Sequence, residues 1–480
     1  MRLPALCLLG ASALLLGQSD PDAILLRALG PSPLMRNLQE LCDRIGGRVT
    51  GSLAHQRALH WAQAGFRDAG VEVHLEPFTM PSRWEAGPAS VEVIGPGAFK
   101  PVVTPWGWSI NANGAFHLVD GGYGGVEEMR SLGARAKGAF ILIRTRPLKT
   151  EADLTREFLA TVTYLPLARE LGAAGILSIS DRPRDLLYRH IEKGDGKPST
   201  LPELMVARED GLRLARMLEG GQDVKLQVAM ANQLGPAFET QNVVAEIPGN
   251  GLRDEIVLMG AHLDSWDLGT GALDNGCNAA MLLELARIIK ASGLIPRRTL
   301  RFVLFSGEGV GFLGSRAYTE RHLDELDRHR AVLIYDAGMG RVTGYSTGGQ
   351  EEWFPTLQQL LWPLGEAAPR EHTTDAYIGT DNYDFLLQGV PTLVANREWG
   401  PYLQDYHAQS DTLDKVDARA LRDQTMEAAV LFWGLANVDH LPPRRTRPEI
   451  DATLKATRLD EDMKTFGMWD EWASGKRGRK

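Results

Sequence analysis

The sequence predicts an α/β protein: a mixed, largely parallel sheet flanked by helices, with a compact α+β domain inserted into it. Three observations carry that expectation. Beyond Ala237 the strand-like segments are continuously apolar and alternate with helical ones, as parallel strands covered on both faces do. Between Pro101 and Ala231 shorter apolar pieces alternate with helices of their own, flanked by Pro- and Gly-containing stretches. The length of 480 residues also exceeds the roughly 250–300 at which single cores stop growing.

In chain order the first feature is Met1-Arg2, an apolar run from Leu3 to Gly17, and an abrupt polar turn at Gln18-Ser19-Asp20. A short positive start with an apolar stretch too short to span a bilayer fits a secretory signal peptide, here residues 1–19. The protein is therefore expected to be secreted or periplasmic, without a membrane span. Cys7 sits too near the start to accept a lipid.

Two amphipathic helices follow between Leu38 and Phe66, around the Gly-rich break Ile45–Ser52, and Val71–Leu75 alternates like a strand. The insert, residues 101–235, holds strand-like Ala139–Ile143, Gly175–Ile179, Leu201–Val206 and Val224–Val228, with helices up to Ala174 and over Asp210–Glu219. The main domain, residues 20–100 and 236–440, resumes with buried strands at Asn242–Ile247, Glu255–Gly260, Thr299–Phe305, Ala331–Tyr335 and Pro391–Ala395. Helices over Asn278–Ser292, Gly314–Leu323 and Thr356–Leu364 separate them. Residues 441–480 read as a polar tail. Its last five residues, Lys476–Lys480, form the one dense basic run, expected to be frayed and solvated.

A formal charge of -9, spread along the chain, excludes nucleic acid as the partner, since phosphate recognition needs a clustered positive face. Past the leader only Cys42 and Cys277 remain. They could form one disulfide but neither a disulfide framework nor a zinc finger. A bound metal would be held by imidazoles and carboxylates.

Such groups recur where the strands end. His262 and Asp264 follow Glu255–Gly260, Asp274 lies in Gly271–Gly276 before a helix, and Glu308 follows Phe305-Ser306-Gly307. Asp336 follows Ile334-Tyr335, and His407 lies in Tyr406–Thr412. Singly, each has a bland reading: Asp274 a helix cap, either histidine a structural one, Glu308 a solvated loop residue. Together they would meet outside the carboxyl edge of a parallel sheet, where such folds bind ligands. Imidazole and carboxylate are ordinary zinc ligands, and a catalytic zinc needs three of them plus an open position. A carboxylate that is not a ligand then handles the proton. Asp264, two residues after His262, is placed to orient that imidazole.

On these residues the chain resembles the co-catalytic zinc exopeptidases, and within them the carboxypeptidase Q branch. The resemblance runs from about Leu38 to Ala436. It is carried by His262–Asp267, the Asp274 and Glu308 loops with Gly311 and Gly314-Ser315, Gly379-Thr380-Asp381, and His407 with Ser410-Asp411-Thr412. It implies that His262, Asp274 and Asp336 bind one zinc, that Asp274 bridges to a second completed by His407, and that Glu308 is the base. It also implies that the insert is a protease-associated domain covering one side of the cleft, so that substrates are short peptides. Family members usually carry two adjacent glutamates here, the second a ligand of the second zinc; this chain has Gly309. One zinc is thus expected to be firmly bound and the second weak or absent. Asn275 stands where many relatives have a second aspartate.

Three readings follow: an active peptidase, an impaired relative kept as a binding module, and acyl transfer of the glutaminyl-cyclase type. The last is disfavoured because its single zinc uses the position of the missing glutamate. Asp381 either faces a substrate amine or caps the helix Tyr383–Gln388, and Arg341 and Arg397 are read as ordinary surface arginines before carboxylate contacts. No oligomeric state can be read; a homodimer is compatible.

Overall fold

The computed structural model describes residues 19–336, 338–376, 378–398 and 402–480. The expected signal peptide, Ser19 excepted, and Cys7 lie outside the described residues.

The main sheet has seven strands in the order Glu72–Met80, Phe238–Ile247, Arg298–Phe305, Leu252–His262, His329–Ile334, Thr392–Arg397 and Val342–Ser346. The central four are mutually parallel, and the pairings toward both edges are antiparallel. Burial explains the continuously apolar sequences: all eight residues of Arg298–Phe305 are buried. One face is covered by Leu53–Asp68, Cys277–Ser292 and Ala418–Asn437, which pack Phe66, Leu282 and Phe432 against Phe302 and Met259. The other face carries Tyr318 and Phe385 against Phe305 and Leu258. Helix ends follow local chemistry. Ser52 accepts from the His55 amide to start Leu53–Asp68, and Gly293, with φ 75°, stops Cys277–Ser292.

A second seven-stranded sheet runs Ala89–Ile94, Lys225–Met230, Asn113–Asp120, Phe140–Ile143, Gly175–Ile179, Glu203–Val206 and Val103–Pro105. Its first strand lies upstream of the expected boundary at residue 101. Val91 and Val93 face inward on it, and it pairs antiparallel with Lys225–Met230, so the unit closes on residues that sequence reading left to the main domain. Where the chain leaves and re-enters the main sheet, Arg83–Glu85 pairs with Gln233–Gly235.

One further expectation is corrected, and the open question of the cysteines is answered. Residues 441–480, read as a polar tail, are folded, and the basic run at their end is not frayed. The segment forms the helices Arg447–Ala456, Leu459–Thr465 and Trp469–Ala473, whose Ile450, Leu454, Met463 and Trp472 pack on Tyr383 and Leu387. Arg477, from the basic run, is buried against Asp384 with two hydrogen bonds of 2.7 Å. Cys42 and Cys277 form no disulfide; both are free and buried, and burial pushes their thiols up to about 11 and about 12. Among the described residues no helix is long and apolar enough to cross a membrane.

Candidate metal centre

The parallel strands deliver the predicted side chains to one edge. His262 ends its strand, Glu308 follows the strand ending at Phe305, and Asp336 follows the strand ending at Ile334. The Asp274 loop is bent into place by Gly271, whose φ of 62° and closeness to Ser265 (an added Cβ would lie 2.3 Å from its Cβ) admit only glycine. It is then fixed by Asp411, whose carboxylate accepts from the amides of Leu273 and Asp274 at 2.6 and 3.1 Å.

The groups converge. His262 Nε2 lies 3.0 Å from Asp274 Oδ1, 3.5 Å from Asp336 Oδ1 and 3.9 Å from Glu308 Oε2. The other oxygen of Asp274 is 3.2 Å from His407 Nε2. Donor atoms of His262, Asp274 and Asp336 all lie within 4.8 Å of one another.

Hydrogen bonding on the far side of each ring says what this arrangement needs. His262 Nδ1 contacts the Asp264 carbonyl at 2.9 Å and His407 Nδ1 the Arg189 carbonyl at 3.1 Å. A carbonyl only accepts, so each Nδ1 carries a proton, and in a neutral ring the Nε2 turned toward the carboxylates is a lone pair. His262 Nε2 is buried and without a hydrogen-bond partner. Lone pairs facing lone pairs require a cation between them. Without a metal a proton takes that part: burial alone would depress His262, but Asp336, Glu308 and Asp274 outweigh it and raise its proton affinity well above the usual value. The donor set therefore fits a divalent ion, and its nitrogen and carboxylate chemistry suits zinc.

Glu308 sits beside this set. Burial, reinforced by the charges of Asp336, Asp381 and Asp274 and opposed by His262, holds its carboxyl well above the usual range. The Asp264 carboxylate is 3.8 Å from His262 Nδ1, and the shorter contact to the ring comes from its backbone carbonyl. The carboxylate accepts instead from the Thr50 hydroxyl at 2.8 Å and the Glu308 amide at 3.4 Å, tying the two loops together. Thr50 in turn accepts from the Gly307 amide. Arg48, fully buried, donates to the carbonyls of Leu263, Thr270 and Gly271 at 2.5, 2.8 and 2.9 Å. Sequence reading took the segment holding Arg48 and Thr50 for a helix break and missed both.

Around Asp274 and His407 the site is thinner. His407 is stacked on Tyr406 and edges toward Trp266. At Gly309 an added Cβ would rest against Trp266 at 3.7 Å, an ordinary contact, so the position has room for a side chain and offers no donor.

Asp381 is fully buried with neither oxygen hydrogen-bonded, and it occupies the start of Asn382–Leu387 without a side-chain cap. Burial, with the charges of Asp264 and Asp336, pushes it up to about 8. Its neighbours Gly379 and Thr380 line the cleft; Asp381 does not. No side-chain cap is formed, and the buried carboxyl lies close enough to the site for its charge to act on Glu308. Arg397, expected at the surface, is buried. The cleft, about 1640 Å³, is lined by Asp274, Glu308, Asp336 and His407 on one side and by Phe158, His190 and Lys193 of the inserted unit on the other.

Residues 242–431 match the model of Peptidase family M28. Carboxypeptidase Q of Mus musculus is 29% identical over 415 residues, covering 84% of this chain and 86% of that protein. Aminopeptidase YwaD of Bacillus subtilis (strain 168) is 24% identical over 450 residues, 89% of each chain. The solved structure of a Peptidase M28 precursor from Shewanella amazonensis SB2B matches with a TM-score of 0.79 at 25% identity, over 89% of this chain and 99% of that one. BSAP, a zinc aminopeptidase from Bacillus subtilis, shares the fold with a TM-score of 0.67 at 18% identity, over 85% and 95% of the two chains.

Proposed function

Because this chain is a homologue of the Peptidase family M28 proteins, we propose that it is a zinc-dependent exopeptidase of short peptides. One zinc is held by His262, Asp274 and Asp336, and Glu308 is the general base. The observation that carries the reading is the convergence of His262 Nε2 with carboxylate oxygens of Asp274, Asp336 and Glu308, all within 3.9 Å. Its relatives' names, carboxypeptidase Q and aminopeptidase YwaD, support exopeptidase chemistry.

When bound, zinc supplies Lewis acidity and lowers the pKa of water toward about 7. The protein's own groups do the rest. Glu308, with a proton affinity raised by burial, takes the proton of the attacking water and returns it to the departing amine. Asp264 and Thr50 hold the Glu308 loop in register with His262. Arg48 and Asp411 fix the Asp274 loop. The inserted unit, read as a protease-associated domain, walls the cleft and excludes long chains.

A second metal position, made of Asp274 and His407, lacks a third protein donor because residue 309 is glycine, and is weak or empty. The apolar leader over residues 1–19 directs the protein to a secreted or periplasmic location. Gly309 also favours one alternative, a catalytically impaired relative that serves as a binding module. Hydrolysis of a dipeptide panel, with zinc content measured on the same preparation, separates the two. Turnover with at least one zinc per chain supports the peptidase. Less than one zinc and no cleavage refutes it.

A further inference from the structure

We propose that Arg397 receives the free α-carboxylate of the substrate, so that the protein favours peptides with an unblocked carboxy end. This rests on the peptidase reading and names its substrate class. Arg397 closes the strand Thr392–Arg397 at the same carboxyl edge that carries His262 and Asp336. It is 9% exposed and lines the cleft that holds Asp336 and Glu308. Its guanidinium carbon lies 6.0 Å from the ring centre of Tyr335, the residue before Asp336.

One nitrogen, Nη1, is anchored, donating to the Gly338 carbonyl and, at 3.0 Å, to Gln424 Oε1. Nε and Nη2 are buried with no partner. These two form one edge of the guanidinium fork, the edge a carboxylate occupies through two parallel hydrogen bonds. The other described arginines of the cleft are already paired: Arg169 with Glu192 at 2.9 Å, Arg316 with Glu471 at 3.0 Å and Arg477 with Asp384 at 2.7 Å. Arg397 has no carboxylate in ion-pair reach among the described residues. Glu427, whose charge it feels, has both oxygens taken by the hydroxyls of Tyr335 and Tyr345. A buried cation with an idle bidentate edge is costly unless an anion arrives to fill it, and a peptide's terminal carboxylate is an anion of matching geometry.

The test is calorimetric titration of the zinc-loaded protein with a reduced-amide dipeptide analogue, which cannot be hydrolysed, as the free carboxylate and as the C-terminal amide. The carboxylate is expected to bind the parent on the order of 10- to 100-fold tighter, the worth of charged hydrogen bonds. Arg397→Gln should erase the difference and leave amide affinity unchanged. Equal binding of the two forms by the parent overturns the proposal, as does a preference that survives Arg397→Gln. If the Gln variant binds neither form, Arg397→Lys decides, since it keeps the cation. A retained preference supports the proposal and equal affinities overturn it. Hydrolysis of the corresponding dipeptide is read separately: a preserved carboxylate preference without cleavage upholds Arg397 and refutes the peptidase reading.

Discussion

Removing Arg477 should cost this protein more than any exposed arginine would, although it belongs to the basic run Lys476–Lys480. Its Nε and Nη2 each donate to one oxygen of Asp384 at 2.7 Å, and the two side chains are 6% and 3% exposed. Arg477→Ala would leave the Asp384 carboxylate buried without its counter-charge, a cost of ~3–5 kcal/mol. Its other contacts add less. The 3.6 Å approach to the half-exposed Glu471 contributes ~0–1 kcal/mol, and the stacking on Tyr383, with 4.8 Å to the ring centre, on the order of 1 kcal/mol. At about 2 °C per kcal/mol, the lower factor suited to a long chain, the ion pair alone corresponds to about 6–10 °C in Tm. Scanning calorimetry reads it. The Arg477→Met, Asp384→Leu double variant removes both charges rather than orphaning one, and should recover most of the loss. A single variant melting within about 2 °C of the parent, or a double variant no better than the single, would refute the reasoning. The stakes are functional, because the C-terminal helices brace Tyr383 and Leu387 in the helix that follows Gly379 and Thr380 of the cleft.

Further outcomes follow from the same geometry. Glu308→Gln keeps shape and removes the base, so kcat should fall by about 10²- to 10⁴-fold while zinc content stays unchanged; loss of zinc would make Glu308 a ligand instead. Glu427 is held up to about 7 by burial, against the hydroxyls of Tyr335 and Tyr345 that favour its charge. A carboxyl raised in the folded state stabilises fully below its unfolded value, and that contribution is lost as pH rises through the folded one. Unfolding free energy should therefore carry a component that declines by ~3 kcal/mol between pH of about 4.5 and about 7. Denaturant titrations of Glu427→Gln should lack this component, and an unchanged slope would count against it.

Much of this was legible in the chain. Thr299–Phe305 could be read as a strand because burial on both faces removes the polar alternation. His262, Asp274, Glu308, Asp336 and His407 could be found because each follows a strand or sits in a Gly-rich loop, where side chains gather at the sheet edge. What escaped depends on long-range pairing that no local pattern records. Thr50 meets Asp264 across 214 positions of sequence. The Arg397 guanidinium sits in Asn396-Arg397-Glu398, a polar triplet that looks solvated until Gln424 and Gly338 enclose it. Arg477 belonged to a basic run that charge alone assigns to solvent, and only Asp384, 93 residues away, draws it inside. Asp381 was read from its place before a helix, yet its side chain is buried and forms no cap.

The central claim, one dependable zinc, is tested most directly by counting the metal. Zinc per chain is measured by elemental analysis after equilibration and gel filtration, for the parent, Asp336→Asn, His407→Ala and Gly309→Glu. One zinc is expected in the parent, lost in Asp336→Asn and kept in His407→Ala. A second should be gained in Gly309→Glu, where the added side chain has room beside Trp266. Two tightly held zinc ions in the parent, one of them lost in His407→Ala, would contradict it.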